Sequence, residues 1–342
     1  MIFCFFRRKQ FPIVCHFSST YSLLLYLCYS SQKEIDDTFF VFSETFPKEI
    51  ANNFENSCFI PKYKECSRFY VQKKWIISRY FKWFCIPKVK KTTKVFSQDH
   101  TTMLQLLIGN HPYIMVAENP IMEEILKNYI PNQTQDISPK QYIYVWMYQK
   151  LVGPIYGCHW GYNNLCYGAL IEDKDSEKFF EGKKIVVLNL KKAWNNKAVL
   201  EKNKLLRLYG LNISELEVMK KKKVIVFTQP FVPEMTIEEN QKFMVRLINK
   251  YSHEDVVIKV HPRDKIDYEQ LFPDILVCKS RFPAQLFDLL NIHFEIAATY
   301  NSSAVYNLSY DIRIDWYGEE LKCYSDVPFN TTIPPNVNIC HL

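Results

Sequence analysis

The chain has 342 residues, of which 48% are hydrophobic and 15% aromatic, and its formal net charge is +7. This composition supports substantial buried cores and excludes a disordered protein, and the length fits two domains better than one. The eleven cysteines show no Cys-x-x-Cys pair and no repeated spacing. We therefore expect reduced thiols in a cytosol-like compartment, without disulfides or structural zinc. No zinc-finger, helix-turn-helix or aromatic RNA-binding pattern is present, so no nucleic-acid partner is predicted.

The N-terminal 31 residues pair basic residues at 7–9 with an apolar stretch, which superficially suggests a signal sequence or an anchor. Polar residues interrupt that stretch, and its continuous part, 21–29, is far shorter than the roughly 20 residues of a membrane-spanning helix. A strand at 11–17 and a helix at 21–30 explain it better, as a first βα unit. We expect a cytoplasmic protein, with peripheral contact to the inner membrane face left open.

Short apolar runs alternate with helix-length segments along the chain. Strands are predicted at 38–42, 113–117, 141–146, 184–190, 224–227, 256–260, 275–278 and 295–298. Such alternation is typical of a doubly wound α/β architecture. A charged, helix-like stretch at 213–223 precedes a fresh strand. Domains are therefore predicted at 1–215 and 222–342, with a ligand site in a cleft between them.

A helix is predicted at 236–251, where apolar residues recur at helical spacing. Thr236 and Glu239 have the spacing of a capping box, which gives Glu239 a structural role. Glu234 has no such role and lies in the preceding loop. It is therefore a candidate catalytic carboxylate, although an exposed loop glutamate is the alternative.

His261 ends the apolar run at 256–260 and is followed by Pro262 and Arg263. In open α/β sheets, the loop that leaves the carboxyl end of a strand binds ligands. The proline fixes the turn, and histidine with arginine can neutralise or protonate a departing phosphate. A structural loop histidine is the alternative. The second His-Pro pair, at 111–112, precedes its strand and is predicted at the opposite edge of its sheet.

Two further polar loops follow the predicted strands 224–227 and 295–298, at the same predicted edge as His261. Their candidate ligand-binding residues are Thr228, Gln229, Asn301, Ser302 and Ser303. Hydroxyl residues at a helix start usually cap the helix, but such a helix N-terminus also binds phosphate. Together with a carboxylate and a histidine, these loops predict a nucleotide-phosphate site.

Three C-terminal segments, which include the loops described above, resemble those of a known enzyme family. They are Thr228-Gln229-Pro230, residues 258–264 with Tyr268 and Phe272-Pro273, and Asn301-Ser302-Ser303-Ala304. They resemble glycosyltransferase family 52, which includes bacterial lipooligosaccharide sialyltransferases. Three N-terminal segments, Gln98-Asp99-His100, Glu118-Asn119-Pro120 and residues 184–194, are similar to the same family.

The resemblance implies a GT-B fold, in which two Rossmann-like domains face a cleft. It also implies a sugar-nucleotide donor, typically CMP-sialic acid, bound mainly by the C-terminal domain, and an acceptor on the N-terminal side. By the resemblance, His261 is the acid of the reaction, and Ser302 and Ser303 contact the donor phosphate. No cofactor is implied. No metal is expected, because the Asp-x-Asp pattern at 173–175 lies in a charged run typical of a solvated loop.

One family motif departs from its pattern. The family has two carboxylates and a glycine where this chain has Glu118, Asn119 and Pro120. Proline cannot supply the backbone freedom of glycine. Glu118 and Glu234 remain as candidate bases.

Three functions stay open. They are an inverting sialyltransferase that acts on a glycan or glycolipid, a family member that transfers another sugar such as glucose, and a non-catalytic nucleotide- or glycan-binding member. The expected partners are a nucleotide-sugar donor and a glycan acceptor, and a homodimer is left open.

Overall fold

A computed structural model describes residues 10–43, 45–59, 89–99, 110–120, 122–128, 159–229, 236–261, 264–300, 302–308, 310–318 and 337–342. The predicted strand at 141–146 lies outside these residues, as do Glu234, Pro262, Arg263 and Asn301. The chain divides into two compact units, Met1–Leu205 and Leu206–Leu342.

The first unit contains a parallel sheet with seven strands within the described residues, in the order β3-β2-β1-β4-β5-β6-β7. The strands are β1 (Ile13–Phe17), β2 (Thr38–Phe42), β3 (Ser57–Phe59), β4 (Lys94–Ser97), β5 (Tyr113–Val116), β6 (Cys166–Ile171) and β7 (Lys184–Val187). The order reverses between β1 and β4, which creates a topological switch point between two adjacent parallel strands.

The second unit contains a parallel sheet with six described strands, in the order β10-β9-β8-β11-β12-β13. They are β8 (Val224–Phe227), β9 (Val256–Lys259), β10 (Leu276–Cys278), β11 (Ile296–Thr299), β12 (Arg313–Trp316) and β13 (Val337–Ile339). Counted within this unit, the order is 3-2-1-4-5-6, that of a Rossmann fold, with its switch point between β8 and β11.

Helices lie between many of the described strands, as is usual in parallel sheets. In the first unit the α-helices are Thr20–Tyr29, Gln32–Asp36, Lys48–Ala51, Glu123–Asn128 and Leu190–Asn196. Val199–Leu208 crosses the division, and Ile213–Met219, Ile237–Ile248, Tyr268–Leu271 and Gln285–Leu289 follow in the second unit. Short 3₁₀ helices occupy Lys174–Phe180, His253–Asp255 and Ser303–Asn307.

The apolar N-terminal stretch is core, as the βα prediction requires. All five residues of β1 are buried, as are eight residues of the helix Thr20–Tyr29. Ser19 caps this helix by accepting a hydrogen bond from the Ser22 N–H. Among the described residues, no helix combines the length and the apolar character needed to cross a membrane.

Several predicted strands match the structure. β2 and β8 have the predicted bounds, β9 ends one residue earlier than predicted, and β11 is shifted by one residue at both ends. Five short strands were not predicted: β3, β4, β6, β12 and β13. They escaped because polar residues or a glycine interrupt their apolar pattern, as Gly168 does in β6.

The division between the units falls earlier in the chain than the predicted boundary after residue 215. The helix Ile213–Met219 therefore belongs to the second unit. Glu215 on this helix is hydrogen-bonded to Cys278 of β10 and interacts electrostatically with Lys259 of β9. Contacts with the second sheet, which no local sequence pattern shows, thus assign this helix to the second unit.

The capping box is confirmed, and it begins the helix Ile237–Ile248. The Thr236 side chain accepts from the Glu239 N–H, and the Glu239 carboxylate accepts from the Thr236 N–H at 2.7 Å. The hydrogen bonds from Thr236 hold the pKa of Glu239 below its usual value. Glu239 therefore has the structural role that its spacing predicted.

Replacing Thr236 by alanine tests this cap. We expect Thr236→Ala to lower the free energy of unfolding by about 1 kcal/mol, because it removes one half of the box. The conservative Thr236→Ser keeps the hydroxyl and is the matched control. Urea unfolding followed by circular dichroism measures both, and equal stability of the alanine and serine variants would contradict the assignment.

Candidate functional site

Three loops of the second unit leave adjacent parallel strands at one edge of the sheet. They follow β9, β8 and β11, which are neighbours in this order. Because the strands are parallel, their carboxyl ends lie together. We call this place the second-sheet edge, defined by Thr228, Gln229, His261 and Ser302. It includes the switch point between β8 and β11, the usual ligand position in this architecture.

The backbone of His261 is fixed by hydrogen bonds on both sides. Its N–H donates to the Thr228 hydroxyl oxygen at 2.9 Å, across from β9 to the end of β8. Its carbonyl oxygen accepts from the Asp264 N–H at 2.9 Å. Thr228 is buried, whereas His261 is half-buried. The imidazole is thus carried by a rigid backbone at a partly exposed position.

A buried tyrosine supports the loop behind His261. The Tyr268 hydroxyl donates to Asp264 Oδ2 at 2.9 Å and is also hydrogen-bonded to Thr228. Asp264 Oδ1 accepts from the Ile266 N–H at 3.1 Å. Burial, reinforced by the Asp264 charge, raises the pKa of Tyr268, so the phenol stays a neutral donor.

The loops after β8 and β11 are also joined to each other. The Tyr300 hydroxyl donates to the Gln229 carbonyl oxygen at 2.6 Å. The Thr299 hydroxyl donates to the Phe227 carbonyl oxygen at 3.1 Å and accepts from the Ser302 N–H at 3.0 Å. Hydrogen bonds therefore run without a break across the ends of β9, β8 and β11, and the second-sheet edge is preorganised.

Ser302 differs from the expected phosphate-binding helix start. It precedes a 3₁₀ helix of five residues, Ser303–Asn307, instead of a full α-helix. Its side chain accepts from the Ala304 N–H at 3.3 Å, and the residue is 3% exposed. The cap interpretation is therefore correct for Ser302, and so short a helix has a weak dipole. The side chain of Ser303 lies outside the described atoms.

Glu118 lies at the carboxyl edge of the first sheet, two residues after β5. It is half-buried. Burial raises the pKa of Glu118, and the negative charge of Asp99 raises it further. A partly exposed carboxylate with a raised pKa suits a general base that works near neutral pH.

Asp99 belongs to a segment that is similar to the family in sequence, but it was not among the predicted site residues. It follows the unpredicted strand β4 and is 1% exposed. Its Oδ1 accepts from the Trp160 N–H at 2.7 Å. Its Oδ2 accepts from the Gly161 N–H at 2.7 Å and from the Tyr113 hydroxyl at 2.8 Å. Asp99 and Glu118 together define the first-sheet edge.

Glu118 has a carboxylate neighbour in spite of the altered acidic motif. Asn119, at the place of the expected second carboxylate, is exposed. Asp99 supplies a negative charge close to Glu118 from the neighbouring strand. The sequence feature that could have indicated this position of Asp99 is β4 itself, Lys-Val-Phe-Ser, which is followed by Gln98 and Asp99. This run of four residues is too short to be distinguished from a loop by its pattern.

The remaining candidates take structural positions. Asp173 caps the 3₁₀ helix Lys174–Phe180 and accepts from the Asp175 N–H at 2.9 Å. In the part of the chain that the structure describes, no group of three or more His, Cys, Asp or Glu residues could hold a metal ion. His111 precedes β5 and hydrogen-bonds through Nε2 to the Thr93 carbonyl oxygen at 2.8 Å, at the amino edge of the sheet.

Comparison with known proteins gives the family. A family model described as Glycosyltransferase family 52 matches residues 38–319, more than half of the chain. The protein belongs to glycosyltransferase family 52. A Haemophilus influenzae relative, described as an uncharacterized protein, is 31% identical over 140 residues. That match covers 40% of this chain and 45% of the relative, so it spans less than half of the relative's length.

Solved structures show the fold of this family 52 member. A Photobacterium damsela sialyltransferase aligns with a TM-score of 0.52 and 14% identity, over 91% of this chain and 76% of that one. Its separate GT-B domain aligns with the same score and identity, over 91% of this chain and 94% of that domain. A Photobacterium 2,6-sialyltransferase, solved with CMP and lactose, has a TM-score of 0.52 and 12% identity, over 90% and 71%. With its two parallel α/β units, the chain has a Rossmann-like GT-B fold.

Thr228 offers a direct test of the second-sheet edge. Thr228→Val removes the hydroxyl that accepts from the His261 N–H and is bonded to Tyr268. We expect a loss of about 1–3 kcal/mol in the free energy of unfolding, because the partner groups lose their hydrogen bond. Thr228→Ser keeps the hydroxyl and is the control. Thermal unfolding compares them, and a valine variant as stable as the serine variant would contradict this role.

Proposed function

We propose that the protein is an inverting sialyltransferase, which transfers sialic acid from CMP-sialic acid to a galactose-type hydroxyl of a lipooligosaccharide or another surface glycan. The observation that carries the proposal is the fixed position of His261 at the second-sheet edge, beside a Rossmann switch point. Family membership and the shared fold of bacterial sialyltransferases support it. The 2,6-sialyltransferase bound to CMP and lactose supplies the precedent for donor and acceptor.

The donor part of the proposal uses the second-sheet edge. As the bond between the anomeric carbon and the CMP phosphate breaks, negative charge develops on the phosphate oxygen. The His261 imidazole is proposed to donate a hydrogen bond or proton to that oxygen. Arg263 and Ser303 are proposed from the sequence as further phosphate ligands, with Pro262, Gln229 and Asn301 shaping the loops. No metal or cofactor is required by this scheme.

The acceptor part uses a carboxylate base. The acceptor hydroxyl oxygen attacks the anomeric carbon, a new carbon–oxygen bond forms, and CMP leaves. Glu118 is proposed to take the hydroxyl proton, because its environment raises its pKa. Glu234 stays the alternative base, proposed from the sequence alone.

Calorimetric titration tests the donor. We expect CMP to bind the wild-type protein and UDP to bind much more weakly, and we expect His261→Ala to weaken CMP binding about tenfold, through the lost charge-assisted contact. A preference for UDP would indicate another donor sugar, such as that of a glucosyltransferase. Absence of binding by either nucleotide would contradict a donor site.

A transfer assay then separates an enzyme from a non-catalytic member of the family. With CMP-sialic acid and a galactoside acceptor, we expect Glu118→Gln to lower kcat by at least about a hundredfold, with unchanged CMP affinity. A non-catalytic member would bind CMP in the wild type and transfer nothing.

A further inference from the structure

Asp99 is a buried charged group that the proposed reaction does not use directly. Its two carboxylate oxygens accept three hydrogen bonds, from two backbone N–H groups and one phenol. Three donors on two different elements therefore hold the Asp99 side chain in one place.

The sheet topology puts this charge and Glu118 at the same edge of the sheet. β4 is paired in parallel with β5, with Ser97 opposite Met115. Asp99 and Glu118 each lie two residues past the end of their strand, at the carboxyl edge of the sheet. The electrostatic effect of Asp99 on Glu118 agrees with this placement.

The turn bonded to Asp99 is also built for this contact. Trp160 and Gly161 have φ values of 58° and 80°, in the left-handed region. A Cβ on residue 161 would lie 2.5 Å from Cε1 of Phe180, so only glycine fits there. The conformational cost of the turn is offset by the bonds that both N–H groups donate to Asp99. The left-handed turn thus holds the Asp99 side chain in one position, whereas a carboxylate on the surface would be free to move.

We infer that Asp99 is a positioning residue for Glu118. The fixed negative charge of Asp99 makes Glu118 a stronger proton acceptor. The inference rests on the proposed function, in which Glu118 is the base. Other titratable groups near this edge include His159, whose Nδ1 is hydrogen-bonded to the Asp99 carbonyl oxygen at 2.8 Å, and Cys166, which interacts electrostatically with Asp99. Tyr21 donates to Glu172 Oε2 at 2.7 Å, and Ser22 donates to the Ala117 carbonyl oxygen at 2.6 Å.

The test compares pH profiles of kcat/KM with CMP-sialic acid and a galactoside. Glu118 acts in its deprotonated form, so activity falls on the acid side as pH drops through its pKa. Asp99→Asn removes the neighbouring charge and lowers that pKa. We expect the acid limb to move to lower pH and kcat/KM at neutral pH to fall about tenfold, as general-base efficiency drops. CMP affinity stays unchanged.

Tyr113→Phe is the matched control, because it removes one donor to Asp99 and keeps the charge. Its acid limb is expected not to move to lower pH. An unmoved acid limb in Asp99→Asn would overturn the inference, as would an equal downward shift in both variants. A purely structural role for Asp99 predicts lost stability in both variants without a displaced acid limb.

An NMR titration separates this inference from the proposed function. The carboxyl carbon of Glu118, assigned by its absence in Glu118→Gln, is followed against pH without any turnover. Titration of Glu118 at a lower pH in Asp99→Asn than in the wild type supports the inference, because burial is the same in both, and titration at the same pH overturns it. Wild-type titration at or below the pH of the exposed glutamates overturns it as well, whether or not Asp99→Asn folds. If the wild type transfers nothing, the proposed function fails, and this titration still decides whether Asp99 acts on Glu118.

Discussion

The Thr228 hydroxyl joins the ends of two neighbouring strands, and the second-sheet edge depends on it. Buried after β8, it accepts from the backbone of His261 after β9 and is bonded to Tyr268 behind that loop. A buried N–H group must find an acceptor, and a β-strand that has just ended no longer supplies one. One side-chain oxygen therefore determines where the chain leaves β9, and with it where the imidazole of His261 stands.

The two sheet edges hold their candidate catalytic residues in place with different chemical groups. At the second-sheet edge, neutral hydroxyls join the loops, so the half-buried His261 is the titratable group of the four residues that define it. At the first-sheet edge, a saturated carboxylate, Asp99, stands beside a half-buried one, Glu118. In the proposed reaction these two carboxylates have different roles, Asp99 as a fixed charge and Glu118 as the proton acceptor, in keeping with their unlike surroundings.

The sequence predicted those parts whose information is local. The continuous apolar runs of β2 and β8 and the capping box at Thr236 are short-range patterns, and the structure matches them. Asp99 lies near Glu118 because β4 is adjacent to β5. The four residues of β4 have polar ends, and such a run does not predict a strand. The helix Ile213–Met219 likewise takes its unit from long-range contacts. Strand order and cross-strand hydrogen bonds are set by tertiary packing, which single-sequence patterns do not contain.

A crystal structure of the protein with CMP would show directly where the nucleotide binds. We predict that the CMP phosphate lies at the second-sheet edge, within hydrogen-bond distance of the His261 imidazole, and that the loop bearing Thr228 and Gln229 contacts the nucleotide. A phosphate bound elsewhere, with His261 remote from it, would show that this edge is not the donor site.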